Sequence, residues 1–514
     1  METLELIEQA LRPGWRHGSR DAGGGVARRV AALQTRLERN VLTVTALAVC
    51  AVTQLLILRR YVSIDAWYTL LGGRAIASQG LPHRDAWTVL TLGHRWVDEE
   101  WLSQLFFYGA WHFGGWALAL LVVSGLYLGS FLVVASLARG LGASDRAVAF
   151  VVAGGFLVGL GNSVLRAQIP AYLLFAVVLG LLIRDARNPS RRVFLVFPVL
   201  ILWTNVHGSV ALGAGLVALR GALAVMESPS RRRPKALRRA FVLLGLPWLC
   251  VLASPYGLGE IHYFRVTLDN SSLAHVVTEW APATVRSEPL FFALLAASIC
   301  LVSRARGATT LFERLTLAAT GLAGLYAVRY EIWFALTAGA VVPLALQSVW
   351  GDSIATRRIK LNRVLATAAL ATVAAAVLVQ MTHGNDWFER RYPTQAAAAV
   401  AREVRADPSA RVLADEQYAD WLLFEQPSLE GRVAYDARFE LLSRSQLMSI
   451  ADFRAESGIG WTRAATGYSV LVLDTSSDQG AIAYFLAQPG TKVLYRSRPV
   501  VVLSQKLSRQ ISSR

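Results

Sequence analysis

Residues 40–58, NVLTVTALAVCAVTQLLIL, carry no charge, and Arg59 and Arg60 then open a polar stretch, YVSIDAWYTLLGGRAIASQGLPHRDAW (61–87). The apolar run matches the ~20 residues that a helix needs to cross hydrocarbon. Similar runs recur near 116–138, 147–164, 171–183, 193–205, 209–226, 240–254, 289–303, 312–328, 332–349 and 364–381. The sequence therefore reads as a polytopic α-helical membrane protein with about 11 transmembrane helices. Composition agrees: 54% of the 514 residues are hydrophobic and 17% charged, against roughly a quarter charged in an average soluble domain.

The chain holds 52 Lys and Arg against 35 Asp and Glu, a net charge of +17. Their placement reads as a topology signal and not as a nucleic-acid surface, because basic residues favour cytoplasmic loops. With the N-terminus inside, the inside segments collect 26 basic residues, whereas the outside loops up to Arg329 hold nine. The polar segment 1–39 is expected to be cytoplasmic and flexible, with no cleavable signal. Cys50, Cys250 and Cys300 all fall in apolar runs, so neither a disulfide nor a Cys-based metal site is expected.

WLSQLFFYGAWHFG (101–114) is aromatic and too short to span comfortably. It reads as a helix in the outer interface, at the end of a long first outer loop, 59–115. An odd number of spans leaves 382–514 outside. There the apolar runs shorten to strand length: ARVLADE from 410, GRVAYDAR from 431, YSVLVLDT from 468 and a hairpin-like TKVLYRSRPVVVLSQ from 491. Helical patterns lie between them, so the tail is expected to form a small extracytoplasmic α/β domain.

Polar side chains recur at each outer boundary. Asp65 follows the first span, where a carboxylate could deprotonate a hydroxyl or bind a cation. A solvated loop acid or a helix N-terminal charge would look the same. Asp98, Glu99 and Glu100 precede the interfacial helix, where capping would also favour acids. His94 could add a ligand nitrogen, although no metal-binding spacing accompanies it. Arg166 and Gln168, Asn205 and His207, Glu279, and Arg329 complete the set. Ionisable groups near hydrocarbon tend to face a polar cavity, with snorkelling to the headgroups as the alternative.

The order IDAWYTLLGGRAIASQGLP, GHRWVDEEWLSQ, LRAQIP, WTNVHGS, SPYGL, TEW and then the tail resembles bacterial polytopic proteins of the GT-C glycosyltransferase superfamily. The resemblance covers most of residues 40–505. It implies transfer of a sugar from a polyprenyl-phosphate carrier to an acceptor at the outer membrane face, with a first-loop acid as base or metal ligand. The matching position is Asp65. Many members carry two adjacent acids there, whereas here Ala66 follows.

In chemical terms, Asp65 is the candidate base of an inverting transfer, and Arg166, His207 and Arg329 are candidate phosphate partners. Gln168, Asn205 and Glu279 join them as substrate-binding candidates, while Asp98, Glu100 and His94 could orient the acceptor or hold a divalent cation. The implied setting is the bacterial inner membrane, with membrane lipid and a lipid-linked sugar as partners. The alternative is a non-catalytic GT-C-like scaffold or assembly subunit, motivated by the missing second acid. A transporter is disfavoured, because no inverted repeat is visible.

Overall fold

A computed structural model of the chain describes residues 32, 34–58, 62–228, 233–269, 277–350 and 359–506. Nearly all of the segment expected to be cytoplasmic and flexible, 1–39, and the last eight residues of the tail, 507–514, lie outside the described residues.

Each of the apolar stretches carries a helix, and five helices are long and apolar enough to cross a membrane: Val41–Leu58 (α1), Trp101–Gly140, Ile169–Arg187, Val328–Trp350 and Ile359–Met381. The protein is a multi-pass membrane protein. The remaining expected spans are shorter or less apolar helices. Val196–Thr204 is the shortest, at nine residues, preceded by a 3-10 turn over Arg191–Leu195 and with Pro198 in its first turn.

Trp101–Gly140 joins the expected interfacial helix to the second span across a kink at Gly114 and Gly115. Gly115 has φ +59°, which a side chain resists, and a Cβ there would meet Asn385 Oδ1 at 2.3 Å. That Oδ1 instead accepts from the Trp116 N–H at 3.1 Å, so the kink is fastened to the start of the C-terminal domain.

The segment expected to be the first outer loop is more ordered than a loop. Ile64–Gln79 forms a helix, α2, that buries Trp67, Leu70 and Leu71. The Trp67 ring meets Trp116, Tyr392 and Phe424 with centroids 5.0, 5.2 and 5.4 Å apart. One membrane helix and the C-terminal domain thus close on a single indole. Arg74 donates to the carbonyls of Leu423 and Phe424 and covers the Phe424 ring, repeating the link one to two turns on.

The C-terminal domain is built on a four-stranded sheet in the order β1-β2-β4-β3, from Val412–Ala414 (β1), Val470–Asp474 (β2), Lys492–Ser497 (β3) and Val500–Ser504 (β4). β1 and β2 are parallel and the other pairs antiparallel. The central strands are buried on both faces, and the period of two divides them. Val412, Val470, Val472, Val500 and Val502 join the core that continues into the membrane helices, whereas Leu413, Leu471, Leu473, Val501 and Leu503 face a second core with Leu447, Phe453 and Phe485.

GRVAYDAR is not a strand of this sheet. Val433 makes isolated bridges to Val412 and to Thr88. Its backbone is shared: Arg432 O accepts from Val412 N at 2.9 Å and Ala434 N donates to Val412 O at 2.8 Å, while Val433 O accepts from Val89 N at 2.7 Å and Gly431 N donates to Trp87 O at 2.8 Å. The segment thus carries the first outer segment against the edge of the domain.

Arg438 locks this junction. Its Nη2 donates to Asp85 Oδ1 at 2.6 Å and its Nε to Asp436 Oδ2 at 2.9 Å, and its guanidinium lies 4.4 Å from the ring centroids of both Trp87 and Trp96. Asp85 also accepts from Thr88, Thr91 and the Trp87 N–H. Breaking a buried pair by removing one partner costs about 3–5 kcal/mol. Asp85→Ala is therefore expected to lower the apparent Tm of the purified protein by several degrees in a thermal-unfolding scan. An unchanged Tm would contradict the locking role.

Candidate functional site

One cavity of about 450 Å³ gathers side chains from most of these elements. α2 contributes Asp65, Tyr68 and Thr69, whose spacing of i, i+3 and i+4 puts them on one helical face. Ser63 fixes the start of this helix by donating to Leu165 O at 2.7 Å, next to Arg166. Arg166 and Gln168 enter just before Ile169–Arg187, His207 between two shorter helices, and Arg329 just before Glu331–Trp350. Glu279 and Trp280 come from a 3-10 turn, and Glu99 and Glu100 from the approach to Trp101.

Arg166 is the electrostatic centre. Its Nη1 and Nη2 form a fork on Glu279 at 3.0 and 2.8 Å, and Nη2 also reaches Asp65 Oδ2 at 2.6 Å. The two acids respond in opposite directions. Burial raises the Asp65 carboxyl, with Glu279 and Glu100 adding to the rise, and this outweighs the lowering by Arg166. Burial also raises Glu279, but Arg166, the hydrogen bonds from it and Arg329 together bring it below the usual range. The arrangement holds Glu279 ionised and makes Asp65 the more basic carboxylate. A pair separated in this way is one mark of an acid–base site.

Arg329 differs from Arg166. Its guanidinium lies 4.4 Å from the Trp280 ring centroid and has no carboxylate or hydrogen-bond partner among the described residues, and its Nε is buried. His207 is committed: Nδ1 accepts the Ser209 N–H at 2.9 Å, which leaves Nε2 to carry the proton toward Glu100 Oε1 at 3.1 Å. Glu100 therefore pairs with an imidazole and does not cap the helix that follows.

Three of the residues singled out from sequence lie elsewhere. Asn205 binds Trp101 Nε1 at 3.0 Å and the carbonyls of Ile201 and Ala253, so it ties helix ends together. His94 is exposed in the first outer segment, outside the cavity lining. Asp98 is buried and accepts from Gln104 Nε2 at 2.9 Å. Burial, then Glu100, hold Asp98 well above the usual carboxylate range. Its Oδ2 and Gln104 Oε1 otherwise lack partners.

Among the described residues no three His, Cys, Asp or Glu side chains are grouped to hold a metal ion. Asp65 and Glu279 are both engaged by the Arg166 guanidinium.

The sequence reading missed the wall given by the C-terminal domain: Glu416, Arg438, Phe439, Glu440 and Arg454. Arg454 Nη1 donates to Glu416 Oε2 at 2.9 Å, and burial pushes Glu416 up to about 7. The charged run DARFE, 436–440, inside an apolar-polar alternation was the available signal.

No family model matches the chain, and no curated protein does. Among solved structures, it is similar to the archaeal oligosaccharyltransferase AglB from Archaeoglobus fulgidus, in complex with an inhibitory peptide and a dolichol-phosphate. That match has a TM-score of 0.50 and 13% identity, and covers 84% of this chain and 69% of that one. The apo oligosaccharyltransferase of the same organism gives a TM-score of 0.48, with 14% identity over 83% and 69% of the two chains. ArnT from Cupriavidus metallidurans, bound to undecaprenyl phosphate, also gives 0.48, with 12% identity over 94% and 98%. At this identity the likeness concerns the fold, and the chain has a GT-C-like fold.

Proposed function

We propose that the protein is an inverting membrane glycosyltransferase that moves a sugar from a polyprenyl-phosphate carrier to an acceptor hydroxyl. The observation that carries this reading is the pairing, in one cavity at the ends of the membrane helices, of a raised carboxylate, Asp65, with a guanidinium that has no carboxylate partner among the described residues, Arg329. The cavity and C-terminal domain are assigned to the outer face of a bacterial inner membrane, following the Lys and Arg bias of the opposite loops.

As the acceptor oxygen attacks the anomeric carbon, it must lose its proton. Asp65 Oδ1, the carboxylate oxygen that Arg166 leaves free, takes it. The bond from the anomeric carbon to the phosphate oxygen breaks on the opposite face, and the electron pair leaves with the lipid phosphate. Arg329 answers the charge that develops there. Arg166 does not hold phosphate in this scheme, since Glu279 and Asp65 occupy both terminal nitrogens. It orients the base. The AglB structure contains dolichol-phosphate, and the likeness in fold supports a carrier of that type here.

Positioned general bases contribute about 10²–10⁴-fold. Transfer of labelled sugar from polyprenyl phosphate by the purified protein is thus expected to fall about 100-fold or more in Asp65→Asn. Full turnover in that variant would remove Asp65 from the chemistry. No transfer by the wild-type protein would favour a scaffold role. Because the base form is lost as pH falls through a raised pKa, the acid limb of kcat should lie above the ~4 of a free carboxylate. A limb at or below that value would contradict the assignment.

A further inference from the structure

The C-terminal domain has a definite polarity toward the membrane. The chain leaves the Ile359–Met381 span, is fastened through Asn385 to Trp116 at the kink, and enters the helix Thr394–Ala406. Glu403, in the last turn of that helix, accepts from Ser504 Oγ at 2.7 Å, so β4, which ends at Ser504, starts on the membrane side at Val500. Val500 pairs with Asp474, the last residue of β2, and Glu416, just beyond β1, lines the cavity together with Asp65 and Arg166. The edge of the domain that faces the membrane is thus formed by the turn at Arg498 and Pro499, the segment 475–480 and the loop 456–460. Hydrogen bonds join the three: Thr475 N donates to Pro499 O at 2.7 Å, and Gly480 N and Ala481 N donate to the two carboxylate oxygens of Glu456 at 3.1 and 2.7 Å.

Ile459, at the tip of the loop, is 100% exposed, yet the loop is not slack. Gly458 and Gly460 have φ +86° and +84°. Glu456 has φ +48°, which a side chain resists, and its carboxylate is held by Gly480 and Ala481. Trp461, next in the chain, packs on Phe453 and Tyr484 with ring centroids 5.7 and 5.5 Å apart. The acids Asp474 and Asp478 are buried, the first accepting from the Tyr418 phenol at 2.6 Å and the second from the Asp474 N–H at 2.8 Å. The exposed charges are Asp452 beside Gly458, Arg463 beside Gly460, and Arg496 and Arg498 at the hairpin. None of these three arginines has an ion-pair partner among the described residues.

We infer that this edge rests on the lipid headgroups of the adjacent leaflet, with Ile459 entering the boundary between headgroups and acyl chains and the arginines, Arg498 foremost, on lipid phosphates. The inference requires the membrane spans and not the glycosyl-transfer reading. A protein partner would call for a continuous apolar patch, whereas Ile459 stands alone in its loop. A lipid surface asks for one apolar anchor with cations around it, and a weak anchor suffices because the spans already tether the domain. Such a contact fixes the height of the domain, and of Glu416 within it, above the spans.

The test uses the full chain in nanodiscs, with Cys300 replaced by Ser and a nitroxide label on Ile459→Cys. Cys50 and Cys250 are buried and stay. A label on Arg405→Cys, exposed at the far end of the helix Thr394–Ala406, is the aqueous reference. Collision with oxygen, which concentrates in lipid, should dominate at position 459, and collision with a water-soluble nickel chelate at position 405. In discs containing phosphatidylglycerol the 459 label should sit deeper than in discs of phosphatidylcholine alone, and Arg498→Glu should cancel the difference. A 459 label as open to the chelate as the reference would overturn the inference, and so would a depth indifferent to both the anionic lipid and Arg498→Glu. A label open to water in nanodiscs but shielded in native membranes would assign the loop to a protein partner and overturn it as well.

Discussion

A guanidinium at the edge of hydrocarbon has to be paired, and Arg166 is paired twice. Its ties to Asp65 and Glu279 draw together three regions of the chain that are distant in sequence, at the ends of the membrane helices. The site geometry depends on that triad. Both terminal nitrogens of Arg166 are occupied, whereas Arg329 rests on Trp280, and under the proposed function the work of meeting an anion would pass to Arg329. The same sharing separates the two acids: Glu279 is lowered and Asp65 raised, which is why the proposal makes Asp65 the proton acceptor.

The C-terminal domain is part of this arrangement. α2 carries Asp65 on one face and Trp67 on another, and Trp67 is gripped by Trp116 on one side and by Tyr392 and Phe424 on the other. A shift of the domain would therefore move the helix that holds the base. Arg438, which lies over both Trp87 and Trp96, ties the far end of that segment to the same domain. The opposite ends of the helices are stabilised in their own way, by Arg220 and Arg239 converging on Asp185, which joins three helices through one buried carboxylate.

Apolar stretches were legible because hydropathy is a local property, and so were the two short apolar runs of the β3–β4 hairpin around Arg498 and Pro499. The five helices long and apolar enough to cross a membrane coincide with expected runs, with Trp101–Gly140 covering both the aromatic stretch and the second span, divided at a glycine pair. Polar residues at span ends could be picked out singly, as Asp65, Arg166, His207, Glu279 and Arg329 were. Their partners could not. Whether an arginine meets a phosphate or two carboxylates depends on contacts across more than 100 residues. Asn205 and Asp98 had the right residue type and boundary, and tertiary packing turned them to structural duties. Glu416 and Glu440 were missed because they reach the cavity only through the docking of the domain, which the charged run 436–440 does not by itself reveal.

The division of labour between the two arginines is tested most directly by titrating undecaprenyl phosphate into the protein in nanodiscs and following the phosphorus resonance. The account predicts that Arg329→Met abolishes the shift of the phosphate signal, whereas Glu279→Gln leaves binding intact or strengthens it by releasing part of Arg166. Unimpaired binding in Arg329→Met, together with loss in a variant of Arg166 that remains folded, would contradict it.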